Sequence, residues 1–167
     1  VSVNIAAQQL KRPNFIDRLQ QQLAAHPGTA RHRLELEVLE TSALDDIGEV
    51  EELIVACRQM GVGFSLDDFG TGYSSLAYLK RFPLNTLKID RSFIQDIDTN
   101  EDDREITKAI IAMGQNLKLK VLAEGVENLE QLEILKQSGC DYIQGFYFSK
   151  ALPANEIQAF LKTNSMI

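Results

Sequence analysis

Short stretches in which apolar and polar residues alternate are separated along this chain by longer stretches whose apolar residues recur every three or four positions. The two periods mark strands and helices in turn. Val1-Ser2-Val3-Asn4-Ile5 is apolar and β-branched and predicts a buried strand with Asn4 at its end. Phe15, Ile16, Leu19 and Leu23 then follow helical spacing, and His26-Pro27-Gly28 stops that helix. Leu34 to Glu40 alternates, with Leu34, Leu36 and Val38 on one face and Glu35 and Glu37 on the other. Val50, Leu53, Ile54, Cys57 and Met60 mark a helix, after which Gly61-Val62-Gly63 leads into the strand that carries Phe64, Ser65 and Leu66. Leu87-Lys88-Ile89-Asp90 alternates again, placing Lys88 and Asp90 on one side. Ile106, Ile110, Met113 and Leu117 predict a helix, Lys118 to Glu127 a strand ending in acid and glycine, and Leu129, Leu132 and Leu135 a helix closed by Gly139. Tyr142 to Phe146 reads as a last strand, and Ile157, Phe160 and Leu161 as a terminal helix.

About six strands alternating with helices is an α/β pattern, and crossovers of this length join parallel strands. The polar residues Asn4, Glu37, Asp67, Lys88, Glu124 and Gln144 fall toward the carboxyl ends of their strands. In an open doubly wound sheet, side chains from six strands would not meet at one crevice, whereas a barrel mouth gathers them. The expected fold is therefore a TIM-like (β/α) barrel, with its active site at that mouth. A complete barrel has eight strands in roughly 250 residues, so six strands leave this one incomplete, short of its first two. The chain opens at Val1, without Met and already inside an apolar segment, which suggests a piece of a longer protein.

Composition narrows the function. The 167 residues are 44% hydrophobic and 25% charged, the profile of one globular domain. Seventeen basic against 24 acidic residues give a net charge of −7, which argues against DNA or RNA as partner, since a phosphate-tracking surface needs clustered lysine and arginine. Cys57 sits in an apolar helical pattern and Cys140 after a turn glycine; both read as unpaired small hydrophobes in a reducing compartment, hence a cytoplasmic domain. No apolar run reaches the roughly 20 residues of a membrane span, though segments outside this chain can anchor the parent protein. His26 and His32 lie beside a linker and read as surface residues, and Asp98 to Asp103 as a solvated acidic loop. Phe146, Tyr147 and Phe148 read as core or pocket wall.

The chemistry centres on Phe64 to Ser75, where an apolar strand stops at the adjacent acids Asp67 and Asp68 and a glycine loop begins. Gly70 and Gly72 permit a tight turn, and Ser74 or Ser75 can cap the helix suggested by Ala77, Leu79 and Phe82. On its own, such a turn is equally a strand-to-helix connection with solvated acids, and Lys88 with Asp90 equally an exposed ion pair. Gathered at one mouth, several carboxylates and an amide oxygen form the hard, all-oxygen environment that magnesium or manganese takes. Two like charges at 4 Å repel by about 4 kcal/mol at an effective dielectric near 20, so the cluster needs cations or protons. Adjacent acids suit two ions about 3.5 to 4 Å apart that activate a water for attack on phosphorus, with Lys88 polarising the water or steadying the developing charge.

Six motifs in order, Val1-Ser2-Val3-Asn4, Leu36-Glu37-Val38-Leu39-Glu40-Thr41, Asp67-Asp68-Phe69-Gly70-Thr71-Gly72, Leu87-Lys88-Ile89-Asp90, Ala123-Glu124-Gly125-Val126-Glu127 and Gln144-Gly145-Phe146, resemble the EAL domains, phosphodiesterases for the second messenger cyclic di-GMP. The resemblance implies that Asn4, Glu37 and Asp67 bind one metal and Asp67, Asp68 and Glu124 the other, both Mg or Mn. It implies a catalytic set of Lys88, which holds the nucleophilic water, Gln144, which assists through water, and Glu40, which supports the aspartate-pair loop. Glu127, with Gly70, Thr71 and Gly72, is implied in loop support. The implied reaction hydrolyses cyclic di-GMP to linear pGpG. The implied partners are cyclic di-GMP, a second copy in a homodimer coupled through the loop after Asp68, and an upstream sensor or diguanylate-cyclase-like domain in the parent. Residues 1–167 thus resemble an EAL-type domain lacking its first two strands and the Glu-Ala-Leu segment with its metal-binding glutamate. The expectation is that the intact parent is active and the piece impaired by under-coordinated metal and open sheet edges. The rival expectation is an EAL-like receptor that binds the dinucleotide without cutting it. A barrel lyase or isomerase with Lys88 as base and one metal is a third reading.

Overall fold

Residues 1–40, 47–71 and 76–163 are described by the computed structural model. Thr41, Tyr73, Gly72 of the expected loop support, and the expected helix-cap candidates Ser74 and Ser75 lie outside the described residues. Six strands, β1 (Ser2–Asn4), β2 (Glu35–Leu39), β3 (Gly63–Phe69), β4 (Thr86–Ile89), β5 (Lys120–Glu124) and β6 (Tyr142–Gln144), form one sheet in sequential order. Every neighbouring pair is parallel. Sequential order with no reversal is the order of a barrel and not of a doubly wound sheet, and the sheet curls as a partial TIM-like barrel. Among the described residues the helices are α1 (Ala7–Leu10), α2 (Phe15–Ala25), α3 (Ile47–Gln59), α4 (Leu76–Arg81), α5 (Arg91–Ile94), α6 (Glu101–Asn116), α7 (Leu129–Gln137) and α8 (Ala154–Thr163).

The helix-facing side of the sheet is apolar throughout. Leu36 and Val38 of β2, Phe64 and Leu66 of β3, Leu87 and Ile89 of β4 and Val121 and Ala123 of β5 are all buried, in one cluster with Ile54 and Cys57 of α3, Ile111 of α6 and Leu135 of α7. Burying each large side chain here contributes roughly 1.5–3 kcal/mol, which is what holds helices to sheet. Helix ends follow local chemistry. The Asn100 side chain accepts from the backbone N–H of Asp102 (2.9 Å) and Asp103 (3.4 Å), so the acidic run supplies the first turn of α6, where negative charge suits the helix dipole. Only its start is the loop that the sequence suggests. Asn128 and Gln131 form a reciprocal capping box on α7.

Several expectations are corrected. β1 is not buried: among the described residues it pairs only with β2, at the sheet's edge, and Val3 is 43% exposed. β6, at the other edge, ends at Gln144, two residues earlier than expected, and Phe146 (59%) and Tyr147 (40%) are exposed and not part of the core, against which Phe148 packs partly. β5 begins at Lys120, because Lys118 takes a left-handed φ of 61° that ends the preceding turn. Cys57 and Cys140 are free thiols, and burial pushes both up to about 11, so both stay protonated. His26 and His32 are exposed. Among the described residues no helix is long and apolar enough to cross a membrane.

Candidate metal centre

Register alone puts the polar residues on one face. Paired residues in a parallel ladder point the same way, and side chains two apart on a strand share a side. Asn4 pairs with Glu37, Glu37 with Ser65, Ser65 with Thr86, and Glu124 with Gln144. Two steps on from Ser65 is Asp67, and two on from Thr86 is Lys88; Lys88 pairs with Leu122, two before Glu124. All of these therefore face away from the helices, into the concave side. Glu37 sits mid-strand and Asp67 two residues before its strand's end, deeper than a strand-end reading implies.

Lys88 is the centre. It is 3% exposed, and its Nζ lies 2.7 Å from Glu124 Oε1, 2.8 Å from Asp67 Oδ1 and 3.1 Å from Glu37 Oε1. The exposed Lys88–Asp90 pair is thereby excluded. Burial by itself pulls the ammonium's pKa down, but hydrogen bonds to Asp67 and Glu124 and their charges outweigh it and hold Lys88 above the usual lysine range. One cation cannot balance three carboxylates. Burial accordingly pushes the Glu124 carboxyl up, with Asp67 and Glu37 adding to the push, and the Lys88 contact only partly offsets them. The end of the Asn4 amide lies 3.1 Å from Glu37 Oε2 and 3.3 Å from Asp67 Oδ2; its nitrogen, turned that way, donates to both, and its oxygen, turned that way, joins an all-oxygen cluster.

Asp68 reaches the site by breaking the strand's rule. Alternation would send it to the opposite face from Asp67, but the β3–β4 register shifts between Leu66 and Phe69, and Asp68 takes φ 55°. A bulge re-aims a side chain, and aspartate tolerates the left-handed region better than most residues. Carboxylate oxygens of Asp67, Asp68 and Glu124 consequently lie within 4.8 Å of one another. Burial and the negative charges of Asp67 and Asp90 push the Asp68 carboxyl up. Three hard oxygens at this spacing fit a single divalent ion at 2.0 to roughly 2.5 Å from each, so the donor set suits a hard divalent cation.

The loop beyond is pinned. Gly70 N donates to Glu40 Oε2 (3.0 Å) and Thr71 Oγ1 to the Asp68 carbonyl (2.8 Å), while Glu40 is 1% exposed. Glu127 pairs with Arg91 at 2.9 Å. Gln144 stands opposite Glu124 in register but is exposed at the sheet edge. Sequence reasoning assigned no role to Ser65, which faces the same interior with its Oγ buried and unpartnered, or to Asp90, whose negative charge helps push the Asp68 carboxyl up and which caps α5 by accepting from Ser92 N (2.9 Å). The alternation that put Asp90 on Lys88's side was the available signal. An open depression of about 670 Å³, lined by Asn4, Glu37, Leu39, Asp67 and Arg12 among others, gives access to the acids. A larger one of about 970 Å³ lies at the amino ends of the strands, around Thr86 and Lys120, away from them.

The family model described as EAL domain matches residues 1–151. The cyclic di-GMP phosphodiesterase NbdA of Pseudomonas aeruginosa is 48% identical over 162 residues, 97% of this chain and 21% of that protein. The chain spans about a fifth of the length of the curated relatives it matches. Among solved structures, the PaMucR phosphodiesterase in its c-di-GMP complex superposes with a TM-score of 0.88 at 42% identity, over 93% of this chain and 63% of that one. The EAL domain of Mycobacterium smegmatis DcpA gives 0.91 at 34%, over 97% and 72%. With the family model matching residues 1–151 and Glu37, Asp67, Asp68 and Glu124 gathered around Lys88, the chain belongs to the EAL domain family.

Proposed function

We propose that this domain hydrolyses cyclic di-GMP to linear pGpG. The observation that carries the reading is the convergence of Glu37, Asp67 and Glu124 on the buried Lys88, with Asp68 turned back to join them. Asn4, Glu37 and Asp67 would hold one divalent ion and Asp67, Asp68 and Glu124 a second, Mg or Mn. Bound there, the pair would neutralise the acids, lower the pKa of a water and draw charge from the phosphate. Lys88, held protonated, has no lone pair with which to take a proton; it donates hydrogen bonds, orients the carboxylates, and steadies negative charge at the reacting phosphate. In the net reaction the water's hydroxyl joins phosphorus, one P–O bond to ribose breaks, and the proton ends on the leaving oxygen. Gln144, at the rim opposite Glu124, hydrogen-bonds through water, and Glu40 and Glu127 hold the loops. The domain works as a homodimer in the cytoplasm, within a longer protein carrying a sensor or cyclase-like domain upstream.

A second reading, binding without cleavage, is favoured by one observation: Lys88 already pairs with three of the carboxylates and offsets part of their charge from within the protein. Incubation of the whole protein that carries this domain with cyclic di-GMP in Mg or Mn, against chelator, separates the two. Hydrolysis predicts pGpG in metal, none in chelator, and a loss of about a hundredfold in Asp67→Asn. Cyclic di-GMP retained intact in the presence of metal overturns it in favour of the receptor.

A further inference from the structure

We propose that Arg91 and Phe93, on the short helix α5, are positioning residues that set the distance between the aspartate-pair loop and the Glu124 loop. The proposal rests on the metal-site reading above. β3 and β5 are not neighbours in the sheet; β4 lies between them, and α5 is the segment that follows β4. The ladder therefore spaces Asp67 and Glu124 only as far as the strand ends, and α5 occupies the gap beyond.

It touches both loops at a glycine. Gly70, at φ +100°, lies so close to the Phe93 ring that a Cβ there would stand 2.7 Å from Phe93 Cε2. Gly125, the residue after Glu124, has φ +75°, and a Cβ there would stand 2.4 Å from Arg91 Cγ. The ring thus seats against one ligand-bearing loop and the arginine stem against the other. Arg91 Nη2 then pairs with Glu127 Oε1 at 2.9 Å, closing the second contact.

The helix itself is immobilised from behind. Asp90 caps its first turn, Ile94 is fully buried, and the buried Thr107 hydroxyl of α6 donates to the Phe93 carbonyl at 3.2 Å. Gln131, 3% exposed, donates from Nε2 to the Gln95 carbonyl (3.0 Å) and accepts at Oε1 from Glu127 N (2.7 Å), so one buried amide ties the end of α5 to the Glu124 loop. The Arg91–Glu127 pair is about half exposed and contributes little to stability. Its consequence is geometric, which separates metal affinity from folding.

The test is Mn2+ titration by electron paramagnetic resonance on the protein carrying this domain after chelator treatment, alongside thermal unfolding of the metal-free form. Arg91→Ala and Phe93→Leu are expected to weaken Mn2+ binding about tenfold while the metal-free midpoint of Arg91→Ala stays at the wild-type value. Arg91→Lys, which keeps the stem against Gly125 and a charge near Glu127, is expected to recover most of the affinity. Wild-type affinity in Arg91→Ala overturns the proposal, as does a loss matched by a fall in the metal-free midpoint. A wild-type protein that binds no Mn2+ overturns both this and the metal-site reading.

Discussion

Lys88 brings a single positive charge into a ring of three carboxylates, and the imbalance governs the site's behaviour. Removing it leaves buried like charges without a partner, so Lys88→Ala should lower the stability of the metal-free protein by about 3–5 kcal/mol at neutral pH, measured by urea unfolding. It should also abolish pGpG formation. Lys88 was legible in the sequence because alternation placed it opposite Leu87 and Ile89, and a closed sheet makes that opposite side the interior. Asp68 was legible only as a neighbour of Asp67; its left-handed backbone arises from the register shift against β4, which no local pattern encodes. Asn suits the same backbone, so Asp68→Asn should keep the unfolding midpoint while weakening Mn2+ binding about tenfold or more, read by calorimetry.

At the scale of elements, caps and turns hold the loops that carry the acids. The Asn128 side chain accepts from Gln131 N at 2.8 Å, directly after the Glu124 loop, and Asn128→Ala should cost about 1 kcal/mol in a urea titration. Asp141, in the turn before β6, accepts from Lys120 Nζ (2.6 Å) and Val121 N (3.0 Å). Burial pushes its carboxyl up, but these bonds outweigh that and hold it below the usual range. With the folded pKa below the unfolded one, its contribution is present above the ordinary aspartate value, roughly pH 4, and is lost as pH falls through the lowered value. Urea midpoints measured across acid pH should therefore fall less steeply in Asp141→Asn. Central strands and their helices followed the apolar period closely, because both faces of β2, β3 and β4 are covered. The first edge strand did not: Val3 carries a strand-forming side chain that reads as buried, but burial depends on a neighbour, and among the described residues β1 has only one. The acidic run before α6 misled for a different reason, since acids are as much at home in a helix's first turn as in a loop.

For the molecule as a whole, a chain of net charge −7 folds with five of its acids, Glu37, Glu40, Asp67, Asp68 and Glu124, around one end of a curled parallel sheet. The order of six strands along the chain became their order in space, which is why the barrel could be read before any coordinate. The distances that turn a row of acids into a site were not in the sequence, since they depend on the stagger between strands and on the bulge at Asp68. The proposed chemistry requires those acids to share cations. Anomalous diffraction from crystals soaked in Mn2+ measures this directly. The account predicts two peaks at the carboxyl ends of the strands, one against Asp67, Asp68 and Glu124 and one against Asn4, Glu37 and Asp67. A map with no peak there, or with manganese bound only elsewhere on the surface, would contradict it.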